Sequence, residues 1–440
     1  MNSNTPLTYK RILLFWLPLE STWLMMAMEG ALMSAIIARM SAPKFNLAAF
    51  GVAFSFLLIL EAPLMMIISA TTALVIDRES FLKMRRFTFV LIGIITLMMG
   101  ITVLPAVFFF LSQELIGLPD HIARLTYGTV LISTPIPWAI GYRRFYQGVL
   151  IRHNQTRYVA LGTAIRLIGI SSLGLLFYRI SVLEGAWTGA IILLFAVILE
   201  AISSRFLARG IIHHLLSENE NKEGVDENSL TYRAIVNFYL PLAMTSLLAL
   251  GVQPAVTFFV GKSRMAIESL AVLPVISGLI FLFMSCGMSF HEVGIALIGN
   301  NSRNYRALRN FALGLGVVTV GLLACIGFTP LSYFWFYRVS GLSAELTQFA
   351  LTPVKLLTIM PGLWMLVSFQ RSVLVSARHT APTTWATGLE LLIVLATLFV
   401  SIGYLDFVGA LAAATAFLLG RIGGILYLFR PFSKVVKTFN

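Results

Sequence analysis

Apolar residues fill long uninterrupted stretches of the chain, such as 87–111, 190–199 and 391–402. The short apolar–polar alternation of membrane strands is absent. A helix needs about 20 apolar residues to cross a bilayer core. Only helices and closed barrels satisfy every backbone polar group there. The pattern therefore predicts an all-α, polytopic membrane protein with twelve spans, at about 12–38, 46–74, 87–112, 121–150, 157–179, 184–210, 232–261, 267–298, 307–335, 343–375, 381–403 and 406–430. One long polar stretch, 217–231, carries Glu218, Glu220, Lys222, Glu223, Asp226 and Glu227. It reads as a solvated linker between an N-terminal six-helix bundle, 1–216, and a C-terminal one, 232–440.

Composition agrees and narrows the class. Of 440 residues, 58% are hydrophobic and 12% charged, against about 25% charged in soluble domains. The formal charge of +13 reflects basic residues gathered on one side of the membrane, and no nucleic-acid partner is expected. With the N-terminus inside, nineteen Lys and Arg lie at inner span ends and seven at outer ones, which places both termini in the cytoplasm of a cell (inner) membrane. The first span, preceded by Lys10 and Arg11, is too long for a cleaved signal peptide. Cys286 and Cys325 sit inside apolar runs and read as small buried residues.

The two halves repeat each other. Phe15-Trp16-Leu17-Pro18-Leu19 recurs as Phe238-Tyr239-Leu240-Pro241-Leu242, displaced by 223 positions; Leu47-Ala48 and Val52 match Leu270-Ala271 and Val275. At an offset of 224, Gly117-Leu118 matches Gly341-Leu342, Pro137 matches Pro361, and Val149-Leu150 matches Val373-Leu374. Six helices per repeat is an even number, so both halves run the same way through the bilayer. Parallel repeats of this kind favour a substrate site at their interface and alternating access by rocking.

The segments Phe15 to Leu19, Leu47-Ala48-Ala49-Phe50-Gly51-Val52-Ala53-Phe54-Ser55 with Ala62-Pro63, and Pro135 through Gly148-Val149-Leu150-Ile151-Arg152-His153 resemble the progressive ankylosis (ANK) family. That family is similar to the multidrug and toxin extrusion (MATE) transporters and the wider superfamily that also holds lipid flippases, abbreviated MOP. The resemblance implies two six-helix bundles around a V-shaped cleft and efflux of small anions such as citrate, nucleotide or pyrophosphate. The long acidic C-terminal tail of ANK proteins has no counterpart here, so tail-dependent trafficking is not expected.

An ionised side chain at mid-bilayer costs roughly 2.5–3.5 kcal/mol on insertion scales, which makes each such residue a functional candidate. Glu29, Glu61, Arg166, Glu200 and Glu390 fall nearest the span centres; Glu20, Arg143, Arg144, His291, Glu292 and Arg371 lie one to two turns in from the inner ends. The repeat mates of Glu20, Glu29 and Glu61 are Ala243, Val252 and Met284, so the frame itself demands no charge there. Gln147 matches Arg371, and Arg166 matches Glu390, an opposite charge at an equivalent place. Gln253 completes the candidate set, whereas Glu200, on the sixth span, is expected to stand aside from the cleft. The arginines suit carboxylate or phosphate ligands. The carboxylates and the His291-Glu292 pair suit protons or cations.

Val260-Gly261-Lys262-Ser263 imitates the end of a phosphate-binding loop but has Val256 where the first glycine should be. His291-Glu292 lacks the second histidine of a zinc-protease motif, as position 295 is Ile. Neither an enzyme nor a bound metal or cofactor is therefore expected. The expected protein is a monomeric secondary exporter of a small organic or phosphorylated anion, in contact with the lipid bilayer and its small-molecule substrate, with H⁺ or Na⁺ as a possible coupling ion. MATE-type multidrug or cation efflux, flipping of a lipid-linked precursor and, more remotely, a membrane-embedded transferase are the alternatives.

Overall fold

The computed structural model describes residues 7–153, 155–180, 183–217, 230–298, 304–377, 379 and 381–437. They form helices, with one isolated bridge between Arg264 and Val408. In chain order the main helices are α1 (Tyr9–Ile37), α2 (Pro43–Leu74), α3 (Arg78–Thr102), α4 (Asp120–Ser133), α5 (Ile136–Arg152), α6 (Thr156–Ile180), α7 (Gly185–Leu207), α8 (Tyr232–Gly261), α9 (Ala266–Ile298), α10 (Tyr305–Phe328), α11 (Ala344–Leu357), α12 (Met360–Ser376), α13 (Ala381–Gly403) and α14 (Gly409–Lys437). Among the described residues, eleven segments are long and apolar enough to cross a membrane, with α11 and α12 counted as one. The protein is an integral multi-pass membrane protein.

The span expected at 121–150 differs from a plain apolar helix. It is divided into α4 and α5 at Thr134-Pro135, and α5 carries Arg143, Arg144 and Gln147. Its repeat partner is divided in the same way, into α11 and α12 at Thr358-Ile359. Pro137 and Pro361 stand in the first turn of the second piece, where a missing N–H breaks no intrahelical bond.

The duplication is also written into the backbone. Six-residue π-helical turns occupy Phe110–Leu115 and Phe334–Val339, 224 positions apart. Each is followed by a glycine in the left-handed region, Gly117 at φ 85° and Gly341 at φ 79°. Ala42 at φ 45° and Met265 at φ 54° precede α2 and α9 at an offset of 223. Such rare conformations recurring in register are hard to reach by convergence of apolar sequence alone.

By packing, the chain forms two compact units, Met1–Ala48 with Phe258–Asn440, and Ala49–Thr257. These groups differ from the sequence halves expected at 1–216 and 232–440: the first helix of each half sides with helices of the other. In one unit α1 lies along α9 so closely that a Cβ on Gly278 would come within 3.2 Å of the Ala31 backbone. Small residues at such crossings are how membrane helices gain contact. Ile12 and Trp16 of α1 join Phe290, Val293, Met365 and Phe369 in this unit's core. In the other unit α8 meets α2 and α3, through the Tyr239 hydroxyl donating to the Pro63 carbonyl and the Tyr239 ring edge-on to Phe87. Of the linker expected at 217–231, all but Ser217, Leu230 and Thr231 lies outside the described residues.

At the start of α3, Asp77 accepts from the Ser80 N–H at 2.8 Å while the Ser80 hydroxyl bonds the Asp77 backbone, closing a capping box. Partial burial pushes the Asp77 carboxyl up, but the Ser80 bonds outweigh it and hold the group below the usual carboxylate range.

Replacing Gly117 or Gly341 by Ala should lower thermal stability in detergent by about 1–2 kcal/mol through the left-handed backbone alone. The loss at Gly341 should be the larger, because its Cβ would lie 2.8 Å from the Arg39 side chain, whose guanidinium donates to the Arg338 carbonyl at 2.7 Å. Unchanged melting of both variants would show that these turns relax.

Candidate functional site

Among the described residues, three polar clusters within the helices stand out, one in the Ala49–Thr257 unit and two in the other. The first is centred on Glu200 of α7, which is only 1% exposed. Its carboxylate pairs with the Arg143 guanidinium from α5 and lies 3.3 Å from Arg166 Nε on α6. Gln147 Nε2, one turn beyond Arg143, donates to the other carboxylate oxygen at 3.1 Å. Gly162 on α6 leaves room for the carboxylate, since a Cβ there would already stand 3.5 Å from the Glu200 side chain. Arg144, next along α5, points to the Met65 sulfur at 3.3 Å and feels the charge of buried Glu61 on α2. The Nε donors of Arg143 and Arg144 and the Gln147 carbonyl find no hydrogen-bond partner.

The second cluster occupies the equivalent helices of the repeat with its signs exchanged. Glu390 on α13 is held in a fork by Arg421 of α14, at 2.9 and 3.1 Å. Arg371 of α12 approaches the same carboxylate at 4.0 Å and donates to the Thr387 hydroxyl at 3.1 Å. The Arg421 guanidinium lies 3.7 Å over the Trp364 ring, a cation–π contact that helps hold a desolvated charge. Arg166 and Glu390 are repeat mates, and the mate of Glu200 is Gly424. A Cβ on Gly424 would stand 3.5 Å from Glu390 Oε2. The carboxylate has thus moved one helix back, and a glycine marks its former place.

The third cluster is Glu20 of α1 against α9. Ser285 and Ser289 hydroxyls donate to its two oxygens at 2.7 and 2.6 Å, the Trp16 indole N–H donates to Ser289 at 2.7 Å, and Cys286 Sγ stands at 3.5 Å. Of the described ion pairs none involves Glu20; two hydroxyls and the Cys286 thiol meet its carboxylate.

The remaining candidates lie on other faces of the helices. His291 Nδ1 faces the Ser368 carbonyl at 3.3 Å, whereas exposed Glu292 takes the Trp23 side chain, so the expected His291-Glu292 pair is two separate contacts. Glu29 and Gln253 are half-buried on α1 and α8. Two residues outside the candidate set hold these clusters together. Glu200 is the hub of its cluster, because α7 turns that face toward α5 and α6. Arg421 holds Glu390, and the signal for it in the sequence is its place beside Gly420, Gly423 and Gly424.

Comparison with protein-family models and with curated protein sequences gives no match. Solved structures do match. One is a multidrug resistance MATE family transporter of the MOP superfamily in an inward-facing conformation, 13% identical over 94% of this chain and 96% of that one, at a TM-score of 0.75. A second is the lipid II flippase MurJ in an inward closed conformation, 16% identical over 97% and 90%, TM-score 0.69. A third is a MOP superfamily transporter from Pyrococcus furiosus, 15% identical over 97% and 96%, TM-score 0.65. The chain has the fold of the MOP transporters. Two of these structures are described as transporters and one as a flippase. They bear out the fold that the resemblance read from the sequence implies; the ANK family is not reached by them.

Within this MOP fold the Glu200 cluster should behave as one unit. Glu200→Gln leaves buried guanidinium without its carboxylate and should cost about 3–5 kcal/mol. The double variant Arg143→Met, Glu200→Gln should lose less than the sum of the two single variants, since Arg166 loses the same carboxylate in both Glu200 variants. Strict additivity in a double-mutant cycle of melting temperatures would show that the charges are independent.

Proposed function

We propose that the protein is a secondary exporter, monomeric, in the cell (inner) membrane with both termini cytoplasmic, that moves a small organic or phosphorylated anion outward by alternating access. Citrate, pyrophosphate and nucleotide are the substrate types in view, H⁺ or Na⁺ is the coupling ion, and no bound cofactor takes part. The observation that carries this reading is the excess of guanidinium over carboxylate within each arginine cluster. Arg143 and Arg166 share Glu200 in one unit, with Arg144 beside them, and Arg371 and Arg421 share Glu390 in the other, where Glu20 is held separately by hydroxyls. In a low-dielectric interior an unbalanced cation draws an anion strongly. Guanidinium binds carboxylate and phosphate through paired N–H donors. The unsatisfied Nε atoms of Arg143 and Arg144 are donors of that kind.

Two features shape the mechanism. Arg144 spends its terminal nitrogen on a methionine sulfur, a weak acceptor, which makes it the arginine most ready to exchange its contact for an oxyanion. Glu20 is set among hydroxyls that suit a protonated carboxyl or a small cation equally, and we assign the coupling ion to it. The likeness to the lipid II flippase supports a second reading, in which the same arginines take the diphosphate of a lipid-linked precursor. The same net positive charge disfavours the cationic drugs of multidrug efflux.

Reconstitution in liposomes with labelled citrate, pyrophosphate, nucleotide and a cationic dye, under pH and Na⁺ gradients, tests the assignment. Movement of at least one anion is expected; movement of the dye alone, or of nothing, would overturn it, and scrambling of a labelled diphosphate lipid without anion flux would favour the flippase. Arg144→Gln should cut anion flux about tenfold or more, the worth of one charge-assisted contact, while the protein stays folded. Glu20→Gln should leave flux that no longer responds to either gradient; full gradient dependence in that variant would remove Glu20 from coupling.

A further inference from the structure

On the Ala49–Thr257 unit, beside the helix positions that carry Arg143 and Gln147, α5 has an aromatic stripe at successive turns: Trp138, Tyr142 and Tyr146. Trp138 stacks on Tyr142 with centroids 5.3 Å apart and an interplanar angle of 18°, and Tyr142 meets Tyr146 at 4.8 Å. Two clefts share the Tyr142 ring. The larger, about 750 Å³, lies toward α3 and is lined by Lys83, Arg85, Arg86, Phe89 and the Tyr232 end of α8. The smaller, about 170 Å³, lies toward α7 between Ile198, Ile202 and Arg205.

The charge here is one-sided. Lys83, Arg85, Arg86 and Arg205 stand against a single carboxylate, Glu79, which is already paired with Lys83. Arg205 lies 5.3 Å over the Tyr146 ring and Arg85 5.5 Å over Phe81. These ring contacts orient the guanidinium groups without using up their N–H donors, and neither forms an ion pair among the described residues. Chain direction brings the cations to one membrane face, since α3 starts at Arg78 while α5 ends at Arg152 and α7 at Leu207. From one to three turns further into the spans the surface becomes apolar and open: Phe89, Val90, Ile202, Phe195 and Trp138, the last 46% exposed.

We propose that this face binds an acidic phospholipid, its phosphate held by Arg85, Arg86 and Arg205 and an acyl chain lying along the Trp138–Tyr142 stripe. A cationic head region above an apolar continuation at the membrane boundary matches a lipid's own layout. Interfacial aromatic rings and basic side chains are the groups that recognise anionic headgroups. A soluble phosphate would satisfy the arginines but not the exposed apolar run beneath them. This inference is independent of the proposed transport activity, because none of its cations belongs to the buried clusters.

The test uses the purified full-length protein in detergent, with melting followed as phosphatidylglycerol, phosphatidylcholine or glycerol phosphate is added. Phosphatidylglycerol should raise the melting temperature while phosphatidylcholine and glycerol phosphate do not. Arg85→Gln, Arg86→Gln and Arg205→Gln should each weaken the phosphatidylglycerol response about fivefold, the contribution of one basic residue at a charged interface. Arg309→Gln, on the surface of the other unit, should leave it unchanged. A photoactivatable phosphatidylglycerol on the wild-type protein should label peptides within 79–89, 138–146 or 198–205, which keeps the test open should a variant misfold. Equal responses to all three additives, or labelling elsewhere only, would overturn the proposal, and a response to glycerol phosphate alone would mean a soluble anion occupies the cleft.

Discussion

A carboxylate and a set of guanidinium groups sealed inside a protein that is itself surrounded by hydrocarbon must neutralise one another, and this requirement organises both units. Glu200 ties together α5, α6 and α7 through Arg143, Arg166 and Gln147. Glu390 ties together α12, α13 and α14 through Arg371 and Arg421. Apolar packing between helices in lipid lacks the hydrophobic drive available in water, so directional polar contacts select which helices adjoin. Breaking such a cluster at one member exposes the others to an environment that cannot solvate them. Small residues complete the arrangement: Gly162 and Gly424 leave space beside the two carboxylates that a larger side chain would fill.

The exchange of signs between the repeats shows what that requirement leaves free. Neutralisation fixes the local balance of charge but not the helix from which each charge comes. In one unit the acid sits on the last helix of the trio, in the other on the helix before it, with an arginine taking up the opposing place. Both solutions retain more guanidinium than carboxylate. That excess is the feature on which the proposed anion transport rests. Glu20 solves its own burial differently, through the hydroxyl donors Ser285 and Ser289. The basic rim at α3 and α7 uses the same chemistry one step outward, where guanidinium meets the lipid surface instead of an internal acid.

Much of the architecture was legible in the amino-acid order. Helical spans, their count to within the divided α4–α5 segment, and the duplication all follow from local regularities: runs of apolar residues, proline and glycine at repeated offsets. The candidate charges could be named for a related reason, since any ionisable residue within such a run stands out. Their pairing could not. Glu200 lies 57 residues from Arg143, Glu390 lies 31 from Arg421, and Glu20 lies 265 from Ser285. Nothing in those separations marks the partners.

The chain by itself determined that this is a duplicated helical membrane protein with a short catalogue of intramembrane charges, because hydrophobic length and repeat offset are properties of neighbouring positions. Only the tertiary structure decided that Glu200 is a hub, that Arg421 answers Glu390, that Glu20 faces serines, and that α1 packs with helices of the second half. Which polar group lies within three ångströms of another depends on how each helix is rotated and which helix it meets, and those are set by the packing of the whole unit.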